Sequence, residues 1–256
     1  MSKDDVEIPY RVLGEGDRDL LLVHGWMVSG AVFDDLIEEL DQTRWRIVVP
    51  DLRGASEASR TAPGYELTDY VADVHAVVED AGLDSAVVVG HSMGGQIAQL
   101  FAAEHPEHVE RLVLLCPVPV AGMELPPEAD QLFKNSGQDR EAQASILQMA
   151  CLDLEEAARN RLLDDAGKIP SDCIRGSYLA WTSGGPTARL ADIEAPTLVV
   201  GSDDPFLPPD FLNQAVVEPI AKARFERVEG AGHYVQIERA AETAALLETF
   251  GTGGKG

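Results

Sequence analysis

A serine flanked by glycines stands where an apolar run gives way to a helical pattern. Residues 90–94 are GHSMG, with Ser92 at the centre. This G-x-S-x-G form permits a very sharp turn from strand to helix, with the serine hydroxyl raised above the sheet. The valine run at 87–89 predicts a buried strand, and the residues after Gly95 predict a helix. We interpret Ser92 as a nucleophile at a helix N-terminus, where negative charge is favoured; the competing interpretation is an ordinary glycine-rich turn.

A serine hydroxyl needs a base, and the base needs an orienting carboxylate. His233 lies in the glycine-flanked stretch GAGH, between the last predicted strand and the last helix. Asp203 and Asp204 follow the predicted strand at 197–201. All three side chains are therefore expected at the carboxyl edge of one sheet, together with Ser92. Ser92, one of the two aspartates and His233 form a candidate catalytic triad.

The other five histidines are less well placed to act as the base. His91 is held beside the turn and is expected to point away from the hydroxyl, and His24 precedes a glycine at a strand end. His75 lies within a charged helix, and His105 and His108 stand at the end of a surface helix, where we expect them to be solvated.

Acyl transfer also requires two N–H groups directed at the oxygen that becomes negative. The backbone N–H of Met93, directly after the serine, is one candidate. The second should come from the loop after an early strand, and the stretch VHGWMVSG supplies it. Trp26 would donate its N–H, with Gly25 allowing close approach of the backbone.

Strand-like and helix-like segments alternate along most of the chain, which predicts an α/β fold with a mostly parallel central sheet and helices on both faces. The alternation breaks at Pro117 and resumes near residue 190. We therefore expect a core of residues 1–118 and 190–256, with a small helical cap at 119–189 inserted after the sixth strand.

Five motifs in order carry a family resemblance: HGW, DLRG, GHSMGG, GSDDPFLP and GAGH, between residues 24 and 233. The sequence resembles the capped, cofactor-free α/β-hydrolases of the serine esterase and lactonase kind. The resemblance implies that Asp204 is the acid, because the family places it three residues after the last strand glycine, Gly201. It also implies that no cofactor and no metal ion is needed. One departure is Ala55, after DLRG, where the family often continues with a second glycine.

A serine at the turn distinguishes this chain from relatives that carry aspartate there, the haloalkane dehalogenases and epoxide hydrolases, and from cysteine-bearing dienelactone hydrolases. We expect a hydrolase of carboxylic esters or lactones acting through an acyl-enzyme. The alternatives are cofactor-free perhydrolase or haloperoxidase-type chemistry, carbon–carbon bond hydrolysis on the same triad, and a weakly catalytic ligand receptor. The candidate pocket residues in the cap are Phe133, Met149, Tyr178 and Trp181.

The charge of the chain limits the classes of partner that the protein is expected to bind. The formal net charge is −24, which disfavours nucleic acid and anionic membranes and leaves a small-molecule substrate. No apolar run has the length of a membrane span and residues 1–10 lack the apolar core of a signal peptide, so a cytoplasmic location is expected. The excess of acidic residues fits either an organism that lives at high salt or a highly soluble enzyme. The sequence leaves open whether the protein forms a homo-oligomer.

The chain has three cysteines. Cys116 ends an apolar run and is expected to be a core residue.

Overall fold

A seven-stranded sheet forms the centre of the molecule in the computed structural model, which describes residues 6–56 and 64–253. The strands are β1 (Tyr10–Leu13), β2 (Arg18–Val23), β3 (Trp45–Pro50), β4 (Ala86–His91), β5 (Val109–Leu115), β6 (Thr197–Gly201) and β7 (Ala223–Arg227). Their order is β1-β3-β2-β4-β5-β6-β7, and β1 alone runs antiparallel to its neighbour. The predicted α/β fold with a mostly parallel sheet is confirmed. The loops after β2, β4, β6 and β7 consequently share one edge of the sheet.

Ten α-helices accompany the sheet in the described residues. They are α1 (Asp34–Glu39), α2 (Leu67–Ala81), α3 (Met93–Glu104), α4 (Pro127–Lys134), α5 (Arg140–Ala150), α6 (Glu156–Ala166), α7 (Ser171–Ser183), α8 (Pro209–Leu212), α9 (Val235–Glu238) and α10 (Ala240–Gly251). Local chemistry sets their ends: α2 begins with a capping box between Glu66 and Asp69 and stops at Gly82, whose φ is 62°. In the described part of the chain, no helix combines the length and the apolar character that crossing a bilayer requires.

Four helices, α4 to α7, interrupt the alternation between β5 and β6. We call residues 116–196 the insertion. It follows the fifth described strand, so its predicted position after a sixth strand is wrong. Five strands, β1 to β5, precede it in the described residues, and the sixth comes only after α7. The predicted boundaries of the cap, 119 and 189, stay a prediction.

A buried ion pair attaches the loop after β3 to α2. Arg53, in the DLRG motif, is 3% exposed and donates from Nε and Nη2 to the Asp73 carboxylate at 2.7 and 2.5 Å. Its Nη2 also donates to the carbonyl oxygen of Asp69 at 3.1 Å. Since both charges are removed from water, each depends on the other for compensation.

We expect Arg53→Leu to lower the free energy of unfolding by about 3–5 kcal/mol, because it leaves the Asp73 carboxylate buried without its cation. The double variant Arg53→Leu/Asp73→Leu should lose less, since the Asp73 carboxylate is removed together with its cation. Urea unfolding followed by circular dichroism measures both. Arg11→Leu is the control: its pair with Asp34 is about half exposed on both sides and should contribute less than about 1 kcal/mol. Equal losses for Arg53→Leu and Arg11→Leu would contradict the expectation.

Candidate active site

Ser92 is the single residue between β4 and α3, and its backbone is strained. Its φ and ψ are 57° and −122°, a region that costs a non-glycine residue about 1–3 kcal/mol. The neighbouring glycines make room for this turn. A Cβ on Gly90 would collide with the backbone of Gly94, and a Cβ on Gly94 would collide with the carbonyl oxygens of Val23 and His24. The small residues predicted around the serine are therefore required by backbone packing.

His233 is hydrogen-bonded to Asp204. Its Nδ1 lies 2.6 Å from Oδ2 of Asp204, which is 2% exposed. The second carboxylate oxygen accepts the N–H of Phe206 at 2.8 Å. The carboxylate is thus fixed on both oxygens and directed at the imidazole.

Asp203 points elsewhere. Its carboxylate pairs with the Arg227 guanidinium and accepts the N–H of Gly230 at 2.8 Å. The bond from Arg227 lowers the pKa of the Asp203 carboxyl below its ordinary value. Of the two aspartates that the sequence offers, the structure brings Asp204 to His233 and holds Asp203 on the surface.

The loop that carries His233 is held by a carboxylate that the sequence analysis missed. Glu238, 8% exposed, accepts the N–H groups of Gly232 and Tyr234 at 3.0 and 3.2 Å. It also accepts two N–H groups from the insertion, at residues 152 and 153, at 2.8 and 2.7 Å. The N–H of His233 donates to the Ala150 carbonyl at 2.8 Å. The clue in the sequence is an acidic residue five positions after His233, at the end of the short stretch VQIE.

The loop after β2 packs directly against the turn at Ser92. A Cβ on Gly25 would lie 2.9 Å from the carbonyl oxygen of His91 and 3.0 Å from Cβ of Ser92. His24 fixes this loop: its Nε2 accepts the Leu52 N–H at 2.9 Å, so its Nδ1 carries the proton and donates to Gly25 O at 2.9 Å. Burial lowers the pKa of His24, which keeps the ring neutral in this bridging role.

The N–H groups of Trp26 and Met93, both proposed to hold an oxyanion, lie in the loop after β2 and at the first position of α3. Neither donates a hydrogen bond to another residue of the described chain. Each is therefore available to an oxygen bound next to Ser92.

A small apolar cavity of about 50 Å³ lies beside Ser92 and His233. Its lining is drawn from both the core and the insertion, and no Lys or Arg is among the lining residues. They are Trp26, Met27, Ser92, Val118, Met123, Leu125, Phe133, Ile146, Ala150, Trp181, Phe206, Leu207, His233 and Tyr234.

Two of the four predicted pocket residues line this cavity, and two do not. Phe133 and Trp181 belong to the lining. Met149 lies outside it and is 39% exposed, because its position on α5 faces solvent. Tyr178 also lies outside it: the ring is buried within the insertion and its hydroxyl donates to Asp130 at 2.7 Å. The prediction is corrected for Met149 and Tyr178.

Trp26 joins the core to the insertion. Its indole stacks on Phe133 with ring centroids 5.4 Å apart and planes 4° from parallel. Its Nε1–H donates to the carbonyl oxygen of Ile174 in α7 at 2.8 Å. Trp26, which lines the cavity, is thus held through its side chain by two helices of the insertion.

Cys116 lies beneath the Asp204–His233 pair and is fully buried, so its prediction as a core residue is confirmed. Burial raises the pKa of its thiol well above the ordinary value. These three side chains form a compact Cys–Asp–His set, but its chemistry does not suit a metal ion. The thiol stays protonated, and Nδ1 of His233 is engaged by Asp204.

Comparisons with known proteins agree with this architecture. A family model described as alpha/beta hydrolase fold matches residues 20–240. The chain belongs to this family. A non-heme haloperoxidase from Rhodococcus erythropolis is 28% identical, with 97% of both chains aligned. Among solved structures, Est816, titled an N-acyl homoserine lactone degrading enzyme, is 28% identical with a TM-score of 0.79 and covers 95% of this chain and 96% of its own. An esterase from Exiguobacterium antarcticum shares the fold at a TM-score of 0.88, with 21% identity and 96% coverage of both chains.

The packing of the turn can be tested at Gly94. A methyl group there meets backbone carbonyl oxygens of Val23 and His24, which cannot rotate away. We expect Gly94→Ala to lower the free energy of unfolding by about 1–3 kcal/mol or more. Gly185→Ala is the matched control, since its nearest neighbours are leucine side-chain ends at 3.3 and 3.5 Å, and it should change stability by less than about 1 kcal/mol. Thermal unfolding midpoints compare the two, and equal midpoints would contradict the expectation.

Proposed function

We propose that the protein is a serine hydrolase that cleaves a carboxylic ester or lactone of a small, mainly hydrophobic substrate through an acyl-enzyme. The observation that carries this proposal is the 2.6 Å hydrogen bond from His233 to the buried Asp204, at the wall of the same cavity that Ser92 lines. A buried carboxylate that orients an imidazole next to a strained serine is the arrangement that acyl transfer needs.

The proposed reaction begins when His233 removes the Ser92 proton through Nε2, as Oγ attacks the carbonyl carbon. Asp204 accepts Nδ1–H, which fixes the tautomer and stabilises the imidazolium. The N–H groups of Trp26 and Met93 hold the oxygen that becomes negative. The alcohol leaves with the proton from His233, and the acyl group stays on Ser92. Water then attacks the acyl-enzyme as His233 takes its proton, and His233 returns that proton to Oγ of Ser92 as the acid leaves.

The cavity supports a neutral and compact acyl group. Its lining is mostly apolar and contains no Lys or Arg that would pair with a substrate carboxylate. Its volume of about 50 Å³ is small, so a long acyl chain requires the lining side chains to move.

We expect Asp204→Asn to lower kcat for p-nitrophenyl acetate by about 10⁴-fold, because the amide cannot stabilise the imidazolium. Ser92→Ala should lose at least as much. Asp203→Asn is the matched control, since it changes the same charge one residue away in a carboxylate paired with Arg227, and it should leave kcat unchanged. Near-normal turnover of Ser92→Ala would end the proposal, and a loss confined to Asp203→Asn would reassign the acid.

We expect kcat/KM for p-nitrophenyl esters to be highest between acetate and butyrate. Overfilling a packed cavity costs about 1–3 kcal/mol, so decanoate should be slower by about tenfold or more. Phe133→Ala should move the optimum to longer chains, because Phe133 lines the cavity. Met149→Ala is the control, since Met149 lies outside it. A flat chain-length profile, or the same shift in both variants, would contradict this view of the cavity.

Perhydrolysis is a second candidate, favoured by the likeness to a non-heme haloperoxidase over nearly the full length of both chains. Here hydrogen peroxide replaces water in the second step, attacks the acyl-enzyme and releases a peracid. Mixing the enzyme with acetate or an ester and hydrogen peroxide, and then measuring peracid against hydrolysis in water, separates the two. Both activities should disappear in Ser92→Ala.

A further inference from the structure

Two histidines and a glutamate converge on the surface, outside the candidate active site. His75 and Glu79 lie on α2, and His108 ends the short 3₁₀ turn Pro106–His108 ahead of β5. One ligand atom from each of the three lies within 4.8 Å of the other two. We propose that His75, Glu79 and His108 bind a divalent transition-metal ion of the Zn²⁺ class.

The distances are close to those of a metal site. Oε1 of Glu79 is 3.5 Å from Nε2 of His108 and 4.0 Å from Nε2 of His75. Ligand bonds of 2.0–2.1 Å in tetrahedral geometry put neighbouring ligand atoms about 3.3 Å apart. The Glu79 side chain is 63% exposed, so a small rotation brings its oxygen to that separation.

Both imidazole rings are already oriented. Nδ1 of His108 lies 3.1 Å from the carbonyl oxygen of Leu83, to which only a protonated nitrogen can donate. In the neutral ring, Nε2 then carries the lone pair, and it faces Glu79, as in sites where the second ring nitrogen of a ligand is fixed by a carbonyl. His75 stacks on the ring of His105, with centroids 4.0 Å apart and planes 13° from parallel, and its spacing of four from Glu79 puts both on one face of α2.

The donor set selects the class of ion. Two imidazole nitrogens and one carboxylate suit Zn²⁺, Co²⁺ or Ni²⁺, whereas Ca²⁺ and Mg²⁺ require sets of oxygen ligands. Three protein ligands leave a position for water. The expectation of no metal ion followed from the family resemblance and did not consider these three residues, which the fold brings together from α2 and the turn before β5.

The site is separate from the proposed chemistry. Ser92 precedes the first residue of α3, and His105, which stacks on His75, follows its last. A helix of 12 residues is about 18 Å long. The ion would join α2 to the turn ahead of β5, and its binding should stabilise the fold without taking part in ester hydrolysis.

Calorimetric titration of untagged, EDTA-treated protein with Zn²⁺ tests the site. We expect one saturable site per chain in the wild type. Glu79→Gln and His108→Ala should each weaken Kd by at least about tenfold, since outer-shell changes alone cost 10–100-fold. Glu104→Gln is the matched control: it removes the same charge from a carboxylate beside His105 but outside the three ligands, and should bind like the wild type.

Two further readouts complete the test. Co²⁺ should give a visible d–d spectrum with the wild type that is lost in Glu79→Gln. Zn²⁺ at about 100 times Kd should raise Tm by about 5 °C or more, with ester hydrolysis unchanged. Glu79→Gln alters an exposed side chain and should therefore fold. Its binding of Zn²⁺ tests the proposed site even if His108→Ala does not fold. Absence of saturable binding, or equal binding by Glu79→Gln and Glu104→Gln, would overturn the proposal.

Discussion

The turn at Ser92 is the constraint on which the candidate site depends. A non-glycine residue is held at φ 57° between a strand and a helix, and only hydrogen atoms fit at Gly90, Gly94 and Gly25 around it. The strain is sustained because β4 is paired on both sides, to β2 and β5, over most of its length. The central sheet therefore keeps the turn rigid, and the rigid turn holds the Ser92 hydroxyl group in a fixed position.

Local spacing was enough to place Ser92, His233 and the two aspartates, Asp203 and Asp204, at one edge of the sheet, whereas the choice of Asp204 came from the family resemblance. Ser92 follows β4 directly, and Asp204 and His233 lie three and six residues after β6 and β7. Because parallel strands end at one edge, this placement needed no knowledge of side-chain packing. The supporting contacts could not be predicted in this way. The bond of Glu238 to residues 152 and 153 and that of His24 to Leu52 join segments whose relation depends on the completed fold.

The pocket residues show the same difference between what the local sequence predicts and what only the completed fold determines. All four predicted residues lie on helices of the insertion, and the sequence indicates that these helices exist. Which face of each helix turns inward depends on rotations of a few tens of degrees. Phe133 and Trp181 turn inward to the cavity, whereas Met149 turns to solvent and Tyr178 turns to Asp130.

The four N–H groups that converge on Glu238 come in equal numbers from the histidine loop and from the insertion. The Glu238 carboxylate thus joins the histidine loop to the insertion, and residues 150–153 cannot move away from the core without displacing His233. An open state that hinged at this corner would displace His233, the proposed base. The partly exposed apolar residues of the lining, Met123, Leu125 and Phe206, lie outside these bonds.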